Sequence, residues 1–310
     1  RSTLFPYTTL FRSQPLLSTL LQQIINGLSL GSVYALIAVG YSLVYSILLF
    51  SNFAHGGFLV VGGYACYYLL TQQGYGIVLA SAGAILASGL VAVLTERLTY
   101  KPIRERTSMT LYLLIASMGV SIVIENIFVI VVGGRFRALP QDTFPSGVFS
   151  LGGGVTVNAS DILSLAVAVV FLGALQLFLS RTRWGLAIRA AACDLRTAGL
   201  MGVNVTLLIG IVFFVAGLLA AVGGIFLSAK YSLYPQLGNI TIKAFIAAVI
   251  GGLGSLPGAV LGSLILGLAE MLTAGFVSSQ MRDMVVFSML VVMLLVRPAG
   301  FFGKSVGDKI

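Results

Sequence analysis

The chain has 310 residues, of which 58% are hydrophobic and only 9% charged, against about 25% charged in an ordinary soluble domain. So little charge cannot cover the surface of a soluble fold, which excludes a soluble enzyme or a nucleic-acid binder. The excess of 18 Lys+Arg over 9 Asp+Glu then reads as loop charge that sets orientation in a lipid bilayer. Cys66 lies in an apolar run and Cys193 in a basic loop, places unsuited to a shared disulfide.

In chain order, residues 1–13 differ in character from the rest of the chain and read as a non-native leader, leaving 14–310 as a single transmembrane domain. A membrane helix needs about 20 apolar residues, because every backbone polar group in hydrocarbon must be bonded internally. Pro15–Phe50 carries no charge but is too long for one upright span, and Gly40 is its expected break. A polar, glycine-rich interruption comes next at 51–57, and then a short apolar run, Phe58–Leu70. Ile77–Thr95, Ser108–Val132, Ile162–Ser180, Thr206–Ser228, Gly258–Val277 and Ser278–Val296 are each apolar enough to span. Between the last three, Ile240–Ile250 leads into a second broken segment at 251–258. The fold class is therefore all-α, a polytopic transmembrane helix bundle of about eight spans with broken or re-entrant segments near 51–57 and 251–258. Short segments interrupted by Gly or Pro in both halves point to a transport pathway; ordinary tight turns are the competing reading.

Three segments concentrate the basic charge: Arg97–Arg106 with four Lys/Arg, Arg181–Arg196 with four, and Arg297–Lys309 with three. The intervening loops hold only Arg135, Arg137, Lys230 and Arg282. The positive-inside rule puts the three basic segments, and the C-terminus, in the cytoplasm. Small residues four apart, such as Gly27/Gly31, Ala220/Gly224, Gly258/Gly262 and Ser263/Gly267, are expected to be helix-packing seams.

His55, Glu125, Lys243 and Glu270 are ionisable groups at or near membrane depth. Each is expected to face the interior or a wet cavity. Asn52, His55, Glu125, Asn126, Gly251, Gly252 and Gly254 are the candidate lining of a substrate passage. The bland alternatives are a helix–helix hydrogen bond for Glu125–Asn126 and a buried ion pair between Lys243 and Glu270. No catalytic constellation, metal-ligand spacing or cofactor fingerprint is present. Gly303-Lys304-Ser305 resembles the end of a phosphate loop, but Pro298 stands where its first glycine belongs.

The stretch 182–204 is amphipathic on helical spacing, with Trp184, Ile188, Ala191/Ala192, Leu195 and Ala198/Gly199 on one face and Arg189 and Arg196 on another. Its small-residue face suits contact with a partner; a helix lying on the lipid surface is the alternative. This stretch resembles the cytoplasmic loop of ABC importer permeases that docks into the ATPase subunit. Asn26-Gly27-Leu28-Ser29-Leu30-Gly31, Asn52-Phe53-Ala54-His55-Gly56, Val249–Ala259 and Arg297–Gly303 resemble, in order, motifs of the branched-chain amino acid permease family. The resemblance implies a permease subunit of an ATP-driven importer in the bacterial inner membrane, without a cofactor of its own. The partners implied are two ATP-binding subunits, a second homologous permease, an extracytoplasmic substrate-binding protein and a small-molecule cargo. Within the docking loop, 181–204, it implies contact through Arg189, Ala191, Asp194, Leu195, Ala198 and Gly202. Glu125-Asn126 stands where many members carry a neutral amide, which leaves the cargo open to urea, short amides or another carboxylate. A remoter reading is an ion-coupled carrier with Glu125, Glu270 and His55 as its relay.

Overall fold

The computed structural model describes residues 16–107, 109–140, 143–145, 147–152 and 154–303. The leader expected at 1–13, and Lys304 and Lys309 of the last basic segment, lie outside the described residues. The chain is an all-α polytopic bundle: α1 (Leu16–Leu48), α2 (His55–Thr71), α3 (Ile77–Thr95), α4 (Lys101–Arg106), α5 (Thr110–Val132), α6 (Ala159–Arg181), α7 (Arg183–Cys193), α8 (Leu195–Leu200), α9 (Val205–Tyr231), α10 (Thr241–Gly251), α11 (Leu256–Phe276) and α12 (Arg282–Val296). One short antiparallel hairpin, β1 (Val148–Gly152) with β2 (Val155–Asn158), precedes α6. Among the described residues, seven helical stretches are long and apolar enough to cross a membrane. At 17 residues α2 sits at the lower limit for doing so, which brings the total to the eight expected.

The sequence places α1 at the centre. It is apolar on all sides, with small residues and tyrosines, and such a helix has to be buried; from Ser29 to Val44 every residue is. Its long contacts run along α11 and α9. At the first, Gly27 and Gly31 meet Ser263 and Gly267: a methyl added at Gly31 would lie 2.9 Å from the Ser263 carbonyl oxygen, and one at Gly267 2.6 Å from that of Gly27. Gly224 packs on Leu59 of α2 and Gly262 on α10 in the same manner. Backbones approach closely where lipid-like side chains would gain nothing by meeting.

One expected boundary is absent. α1 continues unbroken through Gly40 for 33 residues, about 50 Å. Gly40 is small for a packing reason: a methyl there would meet the His55 ring at 3.0 Å and the Ala216 carbonyl at 3.2 Å. The helix ends at Leu49, whose φ of 53° turns the chain back.

The second half has an interruption that hydropathy did not mark. α9 ends at Ser232, in the left-handed region with φ 64°. The chain then runs as a 3-10 turn, Pro235–Ile240, before α10 begins. Leu233 pairs with Arg137 beyond the end of α5, while Gly238 touches Gly56 in the first turn of α2. This segment therefore dips along α2 into the bundle. Irregular backbone at such depth is tolerated only inside protein or beside a wet cavity.

The described parts of the three basic segments gather at one end. Arg97 lies against Gly210 in the second turn of α9, α7 packs beneath the ends of α6, α1 and α9, and residues 301–302 bond back to the end of α10. Arg137, Lys230 and Arg282 lie at the other end, next to the starts of α6 and α12 and the ends of α2 and α5.

Candidate functional site

The break at 51–57 meets the 3-10 turn. Where the 3-10 turn touches α2, a methyl on Gly56 would sit 2.5 Å from the Gly238 carbonyl oxygen. Beside this contact, α5 closes on α2 through Ile124, which a methyl on Gly57 would meet at 2.8 Å. A cleft of about 10 Å³ opens between the three elements, lined by Gly56, Gly57, Ser121, Glu125, Gly238 and Asn239 among others. It has room for about one water. On α5 the residues Ser117, Ser121 and Glu125 recur at the four-residue spacing that shares one helix face. They form a polar stripe down an otherwise apolar span.

Glu125 is the chemically unusual member. It sits about 10 Å in from the Val132 end of α5, half-buried. Among the described residues it has no hydrogen bond or ion pair, and the bundle's salt bridges all join other groups. A charge at the bilayer centre costs about 2.5–3.5 kcal/mol or more, so this edge of α5 faces water or polar protein. Asn126 turns away, its amide donating to the Ile122 carbonyl one turn back at 2.8 Å. The two neighbours thus share no helix–helix hydrogen bond.

Asn52 and His55 are placed one layer behind the cleft. The Asn52 carboxamide oxygen accepts from the Tyr100 hydroxyl at 2.8 Å and from the Ala54 N–H at 3.2 Å. His55 Nε2 is 3.1 Å from the Ile37 carbonyl oxygen of α1. A carbonyl only accepts, so this nitrogen carries the proton. Both side chains are fully buried, and they fix the turn that delivers Gly56 and Gly57 to the cleft wall. Gly251, Gly252 and Gly254 lie apart from it, at the α10–α11 corner. Gly252 has φ 108°; the Phe301 and Phe302 N–H groups bond to the Ile250 and Gly251 carbonyls at 2.9 Å, and Gly254 N–H to Ser42 Oγ at 3.0 Å.

Lys243 and Glu270 are brought together, Nζ to Oε1 at 2.8 Å. Lys243 also reaches Asp283 at 2.8 Å, and the Tyr34 hydroxyl donates to the other Glu270 oxygen at 3.1 Å. This network pins the short α10 to α11, α12 and α1. A second network joins Ser29 of the opening-helix motif to charges outside the motifs: Lys230 on α9 bonds Asp161 on α6 and Ser29 on α1.

At the basic end, 182–204 is two helices, not one continuous amphipathic one. Asp194 breaks the run and caps α8, its carboxylate accepting from Arg196 N–H at 2.9 Å and Thr197 N–H at 3.2 Å. The Thr197 hydroxyl first, then these backbone donors, hold its carboxyl below the usual carboxylate range. Ile188, Ala191 and Ala198 face the chain's own bundle and are buried. Leu195 is half-buried, and Arg189, which donates to the Leu179 carbonyl, and Gly202 are on the surface. The outward side is formed by Arg183, Leu186, Arg196, Leu200 and Met201, so the small-residue face is an internal seam.

Comparison with known proteins bears on this architecture. Residues 23–294 match the family described as branched-chain amino acid transport system / permease component. The high-affinity branched-chain amino acid transport system permease protein BraD of Pseudomonas aeruginosa is 38% identical over 94% of this chain and 98% of its own length. LivH of Escherichia coli K12, of the same description, is 38% identical over 94% and 97%. An archaeal relative, the probable branched-chain amino acid transport permease protein LivH of Methanocaldococcus jannaschii, is 27% identical over 88% and 89%. With a family match across nearly all of its spans and relatives of similar length, the chain belongs to the branched-chain amino acid transport permease family.

Proposed function

We propose that this chain is a permease subunit of an ATP-driven importer for branched-chain amino acids, and that the cleft between α2, α5 and the 3-10 turn is a closed state of its cargo passage. The descriptions of its relatives support the cargo class. The observation that carries the passage is the unpaired carboxylate of Glu125 facing irregular backbone inside the bundle. A second permease would close the cleft along α5, whose apolar side is largely uncovered.

On this reading the basic end faces the cytoplasm of a bacterial inner membrane, with the C-terminus inside. The α7–α8 elbow would receive the ATP-binding subunits through Arg183, Leu186, Arg196 and the Leu200–Met201 corner. Ala191 and Ala198 would carry the push inward as buried contacts. An extracytoplasmic binding protein would load the other end.

The relay of an ion-coupled carrier finds little support, since Glu270 is held by Lys243 and Tyr34 and the His55 Nε2–H by the Ile37 carbonyl. Reconstitution tests the choice. Alone in vesicles the chain should accumulate nothing; with its partner permease, ATPase subunits and binding protein it should accumulate leucine on ATP. Uphill uptake by the lone chain on an ion gradient would reject the proposal.

A further inference from the structure

The cleft holds one carboxylate beside a hydroxyl and a carboxamide that can each donate or accept. Glu125 is its charged group, Ser121 lies one turn along the same face, and Asn239 stands opposite. Three backbone donors at the start of α2 are engaged: His55 N–H bonds Asn52 O at 3.3 Å, and Gly57 and Phe58 N–H bond Ala54 O at 2.9 and 3.3 Å. Pro235, also at the cleft, has no N–H to give.

The cations near the spans are engaged elsewhere. Lys243 serves Glu270 and Asp283, Lys230 serves Asp161, and Arg97 and Arg104 flank Glu96. Arg137 donates to the Val132 carbonyl at 2.7 Å and lies over the Tyr67 ring. Among the described residues no cation pairs with Glu125.

We infer that Glu125 is the cargo-reading group of this permease, a site for the ammonium end of an amino-bearing solute, which favours zwitterionic or cationic amino acids over neutral amides and simple carboxylates. This rests on the cleft being the passage, and it names what that passage selects. A wall of one sign in a low-dielectric cleft concentrates the opposite charge by tenfold or more.

The test reads charge selection directly. Ser121→Cys, in a background of Cys66→Ala and Cys193→Ser, is assembled with its partner subunits. It is then titrated with cationic, neutral and anionic methanethiosulfonates of similar size during ATP turnover. The cationic reagent should react roughly tenfold faster than the neutral one and the anionic slower still, and Glu125→Gln should bring the three rates together. Glu125→Asp, which keeps the charge, should retain the order. Equal rates with Glu125 intact, or an order unchanged by Glu125→Gln, overturn the inference while leaving the passage standing. A cysteine at 121 that no reagent reaches in the cycling complex overturns the passage itself. Leucine uptake by the Glu125→Gln complex should fall about tenfold, with ATP hydrolysis and subunit co-purification retained; undiminished uptake also rejects the assignment.

Discussion

Glu270 on α11 and Glu125 on α5 are both carboxylates set in apolar helices, and their surroundings are opposite. Glu270 is fully buried, bonded on one oxygen by Lys243 and on the other by Tyr34. Glu125 is half-buried at a cleft with no partner among the described residues. In the sequence the two residues look alike, because hydropathy registers only that an acid interrupts an apolar run. The difference teaches that a satisfied acid in a membrane bundle is a joint, while an unsatisfied one is an invitation to a ligand.

The largest expected effect lies on the satisfied side. Lys243→Met leaves the Glu270 carboxylate buried without its cation, which costs about 3–5 kcal/mol. The melting temperature of the purified chain in detergent should drop, or the protein should fail to accumulate in membranes. The double variant Lys243→Met/Glu270→Leu removes both charges and should recover most of the loss. If the double variant folds but transports nothing, Glu270 does more than hold the joint, and the contrast with Glu125 narrows.

Next comes the wall of the cleft. Gly56→Ala drives a methyl to 2.5 Å from the Gly238 carbonyl oxygen, with the Thr241 hydroxyl at 3.1 Å. Neither neighbour is the free end of a flexible side chain, so the 3-10 turn has to shift, at about 1–3 kcal/mol. Uptake should fall far more than stability, since on the proposed reading the displaced turn is the passage wall. A Gly56→Ala variant with normal uptake and an unshifted melt would place the passage elsewhere.

Much of this contrast is readable from sequence, and the unread part has physical causes. Span positions follow from apolar length, and the seams at Gly27, Gly31 and Gly267 follow from small residues four apart. The 3-10 turn does not announce itself: Pro235-Gln236-Leu237-Gly238-Asn239-Ile240 has the composition of an exposed loop. Its depth is set by a tertiary contact between two glycines that lie far apart in the chain. Asn52 and His55 draw attention because they are polar at a break, yet polar residues at a break are also what caps and braces it, and here they do that. Gly40 suggests a hinge, but in lipid a glycine is as often a space for a neighbour, here the His55 ring.

The elbow offers the smallest and most local test. Asp194-Leu195-Arg196-Thr197 has the spacing of a helix N-cap, and reading it so would have divided 182–204 correctly. The cap makes α8 sensitive to acid. Because the Asp194 carboxyl is held below its ordinary value by the Thr197 hydroxyl and backbone donors, its contribution is complete above the unfolded value, about 3.9. That contribution is lost only as pH falls through the lower folded value. Amide exchange at Arg196 and Thr197, after correction for intrinsic rates, should therefore be unchanged between about pH 7 and 5. In Asp194→Ala it should be faster throughout that range, with α7 unaffected. Loss of protection already near about pH 6 would mean that the elbow is held by something other than this carboxylate. The two-helix division would then depend on packing against α9 alone.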